Sequence, residues 1–196
     1  AWFLLQRLRE ACGNKLEMLR GVVEVDETFI GGKEGNKHES KKLRQGRGSV
    51  GKSAVLGLRE RKGRPFAIPV SDVDRENIHK TVYSHIEPGT KIYSDEHRGY
   101  NALRGLFFEH ETVNHSAKEY VQGEVSTNSI ESVWAVMKRG IQGVYHHASE
   151  KHLKRYVNEF TFRLNDGTVN RHTIQRLDSF IAATSGLRLT YKELTA

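Results

Sequence analysis

The run VVEVDETFI, residues 22–30, places a carboxylate in the middle of a segment that otherwise reads as a buried strand. Its β-branched residues favour a pleated sheet, and Gly31-Gly32 ends it. A carboxylate held among apolar neighbours is costly unless it is paired or binds a cation. A fold built on this strand must therefore give Asp26 a compensating partner. Two further acids sit in related settings. Asp95 ends a second strand-like run, TKIYSDE (90–96), and Glu131 opens a helical pattern, NSIESVWAVMKRG (128–140). Two acids on strands and one on a helix suggest a divalent-metal site, and sites of this kind cut or join phosphodiesters.

The remaining pattern gives the frame. SAVLGLRER (53–61) and RPFAIPVSD (64–72) read as strands joined around Lys62-Gly63, a hairpin signal. ENIHKTVYSHI (76–86) reads as a helix stopped by Pro88-Gly89, YNALRGLFF (100–108) as a helix, and ETVNH (111–115) as a short strand. Ile130, Val133, Trp134, Met137 and Ile141 form an apolar stripe at helical spacing, and Leu153, Tyr156, Val157, Phe160 and Leu164 form another. Three strands in a meander, followed by alternating helix and strand, predict an α/β fold: an RNase H-like mixed five-stranded sheet flanked by helices. Residues 1–20, with Trp2, Leu5, Leu8 and Ala11 at helical spacing, read as the helical remnant of an N-terminal region. Residues 21–166 read as the catalytic domain, with a basic loop over 31–52, and 167–196 as a weakly patterned tail.

Composition narrows the partner. The net charge of +7 is concentrated: residues 33–64 carry eleven Lys/Arg against three Glu. A focused basic patch points to a polyanion, most often nucleic acid. Lys33, Lys37, Lys41, Lys42, Arg44, Arg47 and Lys52 are the candidate phosphate contacts from the loop, with Lys138 and Arg139 on the helix. Cys12 is the only cysteine, which excludes an internal disulfide and a structural zinc built from cysteines, and fits a reducing cytoplasm. No apolar run approaches the ~18 residues of a membrane span, so no membrane partner is expected.

Glu131 and Lys138 lie seven residues apart, about 20° from each other around a helix axis. Both flank the apolar stripe, which suits a site binding metal at one end and DNA phosphate at the other. A structural reading competes: Asn128-x-x-Glu131 has the form of a capping box, in which Asn128 caps the helix and Glu131 reaches back. Glu24, Glu27, Glu96, Asp72 and Asp74 read mostly as solvent-facing or turn residues.

The strings VDETFIGGKEGNKH (25–38), YSDEHRGY (93–100), VNHSAKEYV (113–121), TNSIESVWAVMKRGIQGVYHHASEKHLKRYVNEFTFRLN (127–165) and LRLTYKEL (187–194) resemble a DDE-type transposase. More narrowly, the chain resembles the integrase-like domain of the ISXO-type bacterial insertion-sequence family. The resemblance implies an RNase H-like fold, Mg²⁺ or Mn²⁺ as two ions, and cleavage and strand transfer of double-stranded DNA by an oligomer assembled on that DNA, in the bacterial cytoplasm at the nucleoid. It maps the first two acids onto Asp26 and Asp95. The third position, Glu or Asn followed by Lys, maps onto Glu131 or Asn128, with Lys138 as the basic residue. A catalytically decayed DNA-binding module and a structure-specific RNase H-like nuclease are the alternatives.

Two further motifs compete. GRGSVGKS (46–53) matches the phosphate-loop pattern, but that pattern needs a preceding strand and a following helix, and AVLGLRER after it is strand-like; no nucleotide triphosphate is expected. His146, His147 and His152, with His110 and His115 upstream, fit no standard zinc spacing and read as DNA-facing or capping residues. Tyr145 and Trp134 are candidates for stacking on bases, with Trp134 better suited to the core.

Overall fold

The expected meander forms as β1 (Val22–Ile30), β2 (Ser53–Glu60) and β3 (Pro65–Val70), antiparallel throughout. Lys62, at φ 61°, makes the turn between β2 and β3. β4 (Lys91–Ser94) and β5 (Glu109–Thr112) then add in parallel, giving one sheet ordered β3-β2-β1-β4-β5. This is a computed structural model, and it describes residues 1–13, 18–32, 34–43, 49–103, 109–113, 125–166 and 171–196. Among these, no helix is long and apolar enough to cross a membrane.

Alternation along β1 sorts its side chains onto two cores. Val23 and Val25 pack with Leu56 and Leu58 of β2 against α2 (Arg75–His85), which supplies Ile78 and Val82. Ile30 and Val55 face the other way, onto α3 (Asn128–Gly140) and α4 (Glu150–Asp166) through Ile130, Trp134, Met137, Val157 and Phe160. Glu24 and Asp26 share that second face by the same alternation. Asp74 caps α2, accepting from the Asn77 backbone N–H at 2.8 Å, so it is one of the turn acids.

Several expectations need correction. The 100–108 helix is instead a 3₁₀ segment over Arg98–Leu103, with the remainder outside the described residues. The tail carries two helices, α5 (Thr173–Thr184) and α6 (Tyr191–Thr195); Thr190 and Glu193 close a capping box on the second. The N-terminal α1 (Trp2–Ala11) buries Gln6, Arg9 and Ala11, while Trp2 and Leu5 are exposed. A polar cluster on α4 reverses that stripe. Arg9 pairs with Glu159 at 2.7 Å and lies over the rings of Tyr145 and Tyr156. Tyr145 is therefore engaged inside the protein, with its hydroxyl donating to Glu159 at 2.9 Å, and does not present a free stacking face. Residues 53–60 form strand β2, so the helix a phosphate loop requires does not follow Lys52.

Candidate active site

The parallel pairing of β1 with β4 stops at Glu24↔Tyr93, whereas the antiparallel pairing with β2 runs on to Ile30↔Ser53. The two parallel strands thus part at their carboxyl ends, where open α/β sheets place ligand crevices. Asp26 lies two residues past the last β1 residue paired with β4, and Asp95 directly follows β4. Glu27 points to the opposite face from Asp26, but at this unzipped edge both side chains reach the same crevice. Ligand atoms of Asp26, Glu27 and Asp95 all lie within 4.8 Å of one another, the one such His/Cys/Asp/Glu group among the described residues.

Each acid is held. The Trp134 indole Nε1 donates to Asp26 Oδ2 at 2.8 Å. The buried Tyr100 hydroxyl donates to Glu27 Oε2 at 2.5 Å. Asp95 Oδ1 accepts from the His97 backbone N–H at 2.9 Å, so it also starts a turn. Burial pushes the Asp26 carboxyl up to about 7; the Trp134 bond opposes this, and the nearby Glu27 and Asp95 add to it. Glu27 is also raised, chiefly by burial, with the Tyr100 bond opposing and Asp95 reinforcing. The Tyr100 phenol is driven well above its usual range by burial, then by Glu27.

The approach of Trp134 depends on its opposite strand. Asp26 pairs in register with Gly57 of β2. A Cβ at Gly57 would stand 2.3 Å from Trp134 Cη2 and 2.4 Å from Cζ2. Only glycine lets the indole approach β2 this closely and reach the acid.

α3 itself is fixed by a different carboxylate. Glu24, 1% exposed, accepts from the backbone N–H groups of Ser129 (2.9 Å) and Ile130 (3.0 Å) and from Arg61 at 3.4 Å. The competing capping box does not form. Thr127 is the N-cap residue and makes no side-chain cap bond; Asn128 and Glu131 are exposed in the first turn. Glu131 stands one turn before Trp134 and lies outside the three-acid group; Lys138 stands one turn after it and is exposed. Glu24 and Glu27, read from sequence as peripheral, are thus an anchor and a member of the group.

The basic loop is described in part. Lys37 donates to the Gly51 carbonyl at 3.4 Å, and Lys42 pairs with Glu39 at 2.8 Å. Lys41 ends a short 3₁₀ turn, Lys52 precedes β2, and Arg139 donates to the Ala135 carbonyl. Lys33, Arg44, Arg47 and His115 fall outside the described residues.

The donor set fits a hard divalent cation. It offers only carboxylate oxygens, which Mg²⁺ and Mn²⁺ prefer, and burial first, with two further acids alongside, makes Asp26 resist ionising. A bound cation would relieve that repulsion.

A solved neighbour, the catalytic core domain of BIV integrase, aligns with a TM-score of 0.51 at 12% identity, covering 83% of this chain and 94% of that one. The fold is therefore RNase H-like, as the strand order led us to expect. The Mos1 transposase in its strand transfer complex aligns less closely, with a TM-score of 0.32 at 11% identity over 96% of this chain and 64% of that one. A Haemophilus influenzae protein described as an uncharacterized transposase-like protein is 23% identical over 108 residues, 55% of this chain and 86% of its own length. The model of the ISXO2-like transposase domain matches residues 18–165, and the chain belongs to that family.

Proposed function

We propose that the acidic crevice is the catalytic centre of a DNA transposase that hydrolyses a phosphodiester at each element end and transfers the freed 3′-hydroxyl into target DNA. The observation that supports this most is the convergence of Asp26 and Asp95 at the parting ends of β1 and β4. Asp26 and Asp95 would hold two divalent ions, Mg²⁺ or Mn²⁺, which supply charge to activate the attacking oxygen and stabilise the leaving one. Glu131 supplies the third acid from α3, with Asn128 its rival one turn earlier. Glu27 deepens the negative potential from the far face. Trp134 orients Asp26, and Lys138 neutralises a phosphate of the bound strand. The basic residues of the 33–52 loop add affinity that does not depend on sequence and should fall steeply with salt.

Mn²⁺-dependent cleavage of DNA carrying the element ends tests the reading. Wild-type protein should cut, and Asp95→Ala should lose at least ~10³-fold, since the metal contributes several kcal/mol to the transition state. Glu131→Gln should fall by a comparable factor; a larger loss in Glu27→Gln would transfer the third-ligand role to Glu27. Wild-type activity no better than Asp95→Ala leaves a DNA-binding module. Preference for branched junctions over ends makes the protein a structure-specific nuclease.

A further inference from the structure

Beyond the acids, α3 leads into a second site. A pocket of about 450 Å³ opens where β1 ends, lined by Phe29, Lys52, Lys138, Gln142, His146 and His147 among others. None of its described lining residues is acidic. Lys138 follows Trp134 by one helical turn, so the pocket lies ~6 Å further along α3 than the Asp26 contact.

The wall is built by an unusual backbone. α3 passes directly into a π-helical turn, Ile141–Tyr145, and His146 then adopts φ 60° and ψ −34°. π-turns gather at functional positions, and a non-glycine residue in this region carries local strain. The strain is held from behind. The Tyr145 hydroxyl is tied to Glu159, its ring packs against Tyr156 (centroids 4.9 Å apart), and Arg9 lies over it at 4.9 Å. On the other wall, Gly31 leaves room for Lys52: a Cβ at Gly31 would stand 3.1 Å from Lys52 Cγ.

This lining combines two cations, three aromatic rings and two carboxamides, Asn36 and Gln142, in a volume larger than a phosphate group fills. Proteins that hold unpaired nucleotides use that combination: charge for the backbone, ring faces for the base. We propose that the pocket holds one unpaired nucleotide of the DNA strand bound at the acids. Its phosphate lies against Lys52 and Lys138. Its base stacks against Phe29 and the imidazoles, with the Gln142 amide reading the base edge. The inference rests on the reading of DNA as the substrate.

Binding without catalysis separates the two. Fluorescence anisotropy in EDTA compares a short blunt duplex with the same duplex carrying a single-stranded 5′ or 3′ overhang. Stacking of one base in the pocket should make wild type favour one overhang by about 10-fold. The double variant Gln142→Ala/His147→Ala, altered at two exposed positions, should bring that preference within about 2-fold while keeping blunt-duplex affinity and melting temperature. Asp26→Asn should retain the preference. Equal wild-type affinity for all three DNAs, or a preference intact in the double variant, overturns this pocket's role and leaves the acid site standing. No binding to any of the DNAs overturns both.

Discussion

Asp26→Asn should abolish cleavage and yet make the metal-free protein more stable at alkaline pH. The sign follows from the carboxyl's position at about 7, above its ordinary 3.8. Between those values the folded protein holds a proton that the unfolded chain has released, so stability falls as pH rises through that window. Above pH ~7 the full cost of holding a buried anion beside two other acids is present, at most ~4 kcal/mol. Asparagine keeps an oxygen for the Trp134 N–H and carries no charge. In EDTA at pH 8 the variant should therefore melt several degrees above wild type, and the gap should close toward pH 4. Mn²⁺ should raise the wild-type melting temperature and leave the variant's unchanged. A variant less stable than wild type at pH 8 would mean that Asp26 is ionised and well satisfied without a cation.

Glu24→Ala should be the most destabilising single substitution in the ISXO2-like domain. The side chain is inaccessible and satisfies two backbone donors at the start of α3 while pairing with Arg61. Alanine strands those donors in the interior and removes an anion from the positive end of the helix. The expected loss is about 3–5 kcal/mol, read as a drop in urea midpoint at unchanged slope. Glu24→Gln keeps one acceptor oxygen and should lose roughly half as much. If alanine costs no more than an exposed change, α3 is docked by its apolar stripe alone. Because α3 carries Glu131, Trp134 and Lys138, Glu24→Ala should also weaken metal binding.

The order of elements was legible because hydrophobic period and turn residues agree along the chain. Residues 22–30 match β1 end to end, and the 128–141 stripe matches α3 to within a residue. Asp26 was legible because its neighbours leave it no inexpensive alternative. Glu27 was not, because alternation assigns it to the opposite face. Only the early end of the β1–β4 pairing brings it back to Asp26. The carboxylate that caps α3 was hidden for a related reason. A local box competes with a carboxylate more than a hundred residues away, and no spacing rule reveals the distant one. At α1, burial follows the Arg9–Glu159 pair rather than the apolar spacing, because a cluster of tyrosines awaits the guanidinium. The α5 segment was passed over because its apolar residues Ile174, Leu177 and Ile181 remain largely exposed, and α6, at five residues, is too short to show a helical period.

The bond between Trp134 and Asp26 gives the molecule an optical readout of its own chemistry. The chain has two tryptophans; Trp2 is 44% exposed, and Trp134 is buried with its indole nitrogen on the first acid. Emission from Trp134 should shift as Asp26 gains a proton or gives its charge to a cation. With Trp2→Phe, fluorescence titrated against pH or Mn²⁺ would follow the loading of the centre directly, with no DNA present and no label attached. An unchanged spectrum across both titrations would place the indole away from the acid.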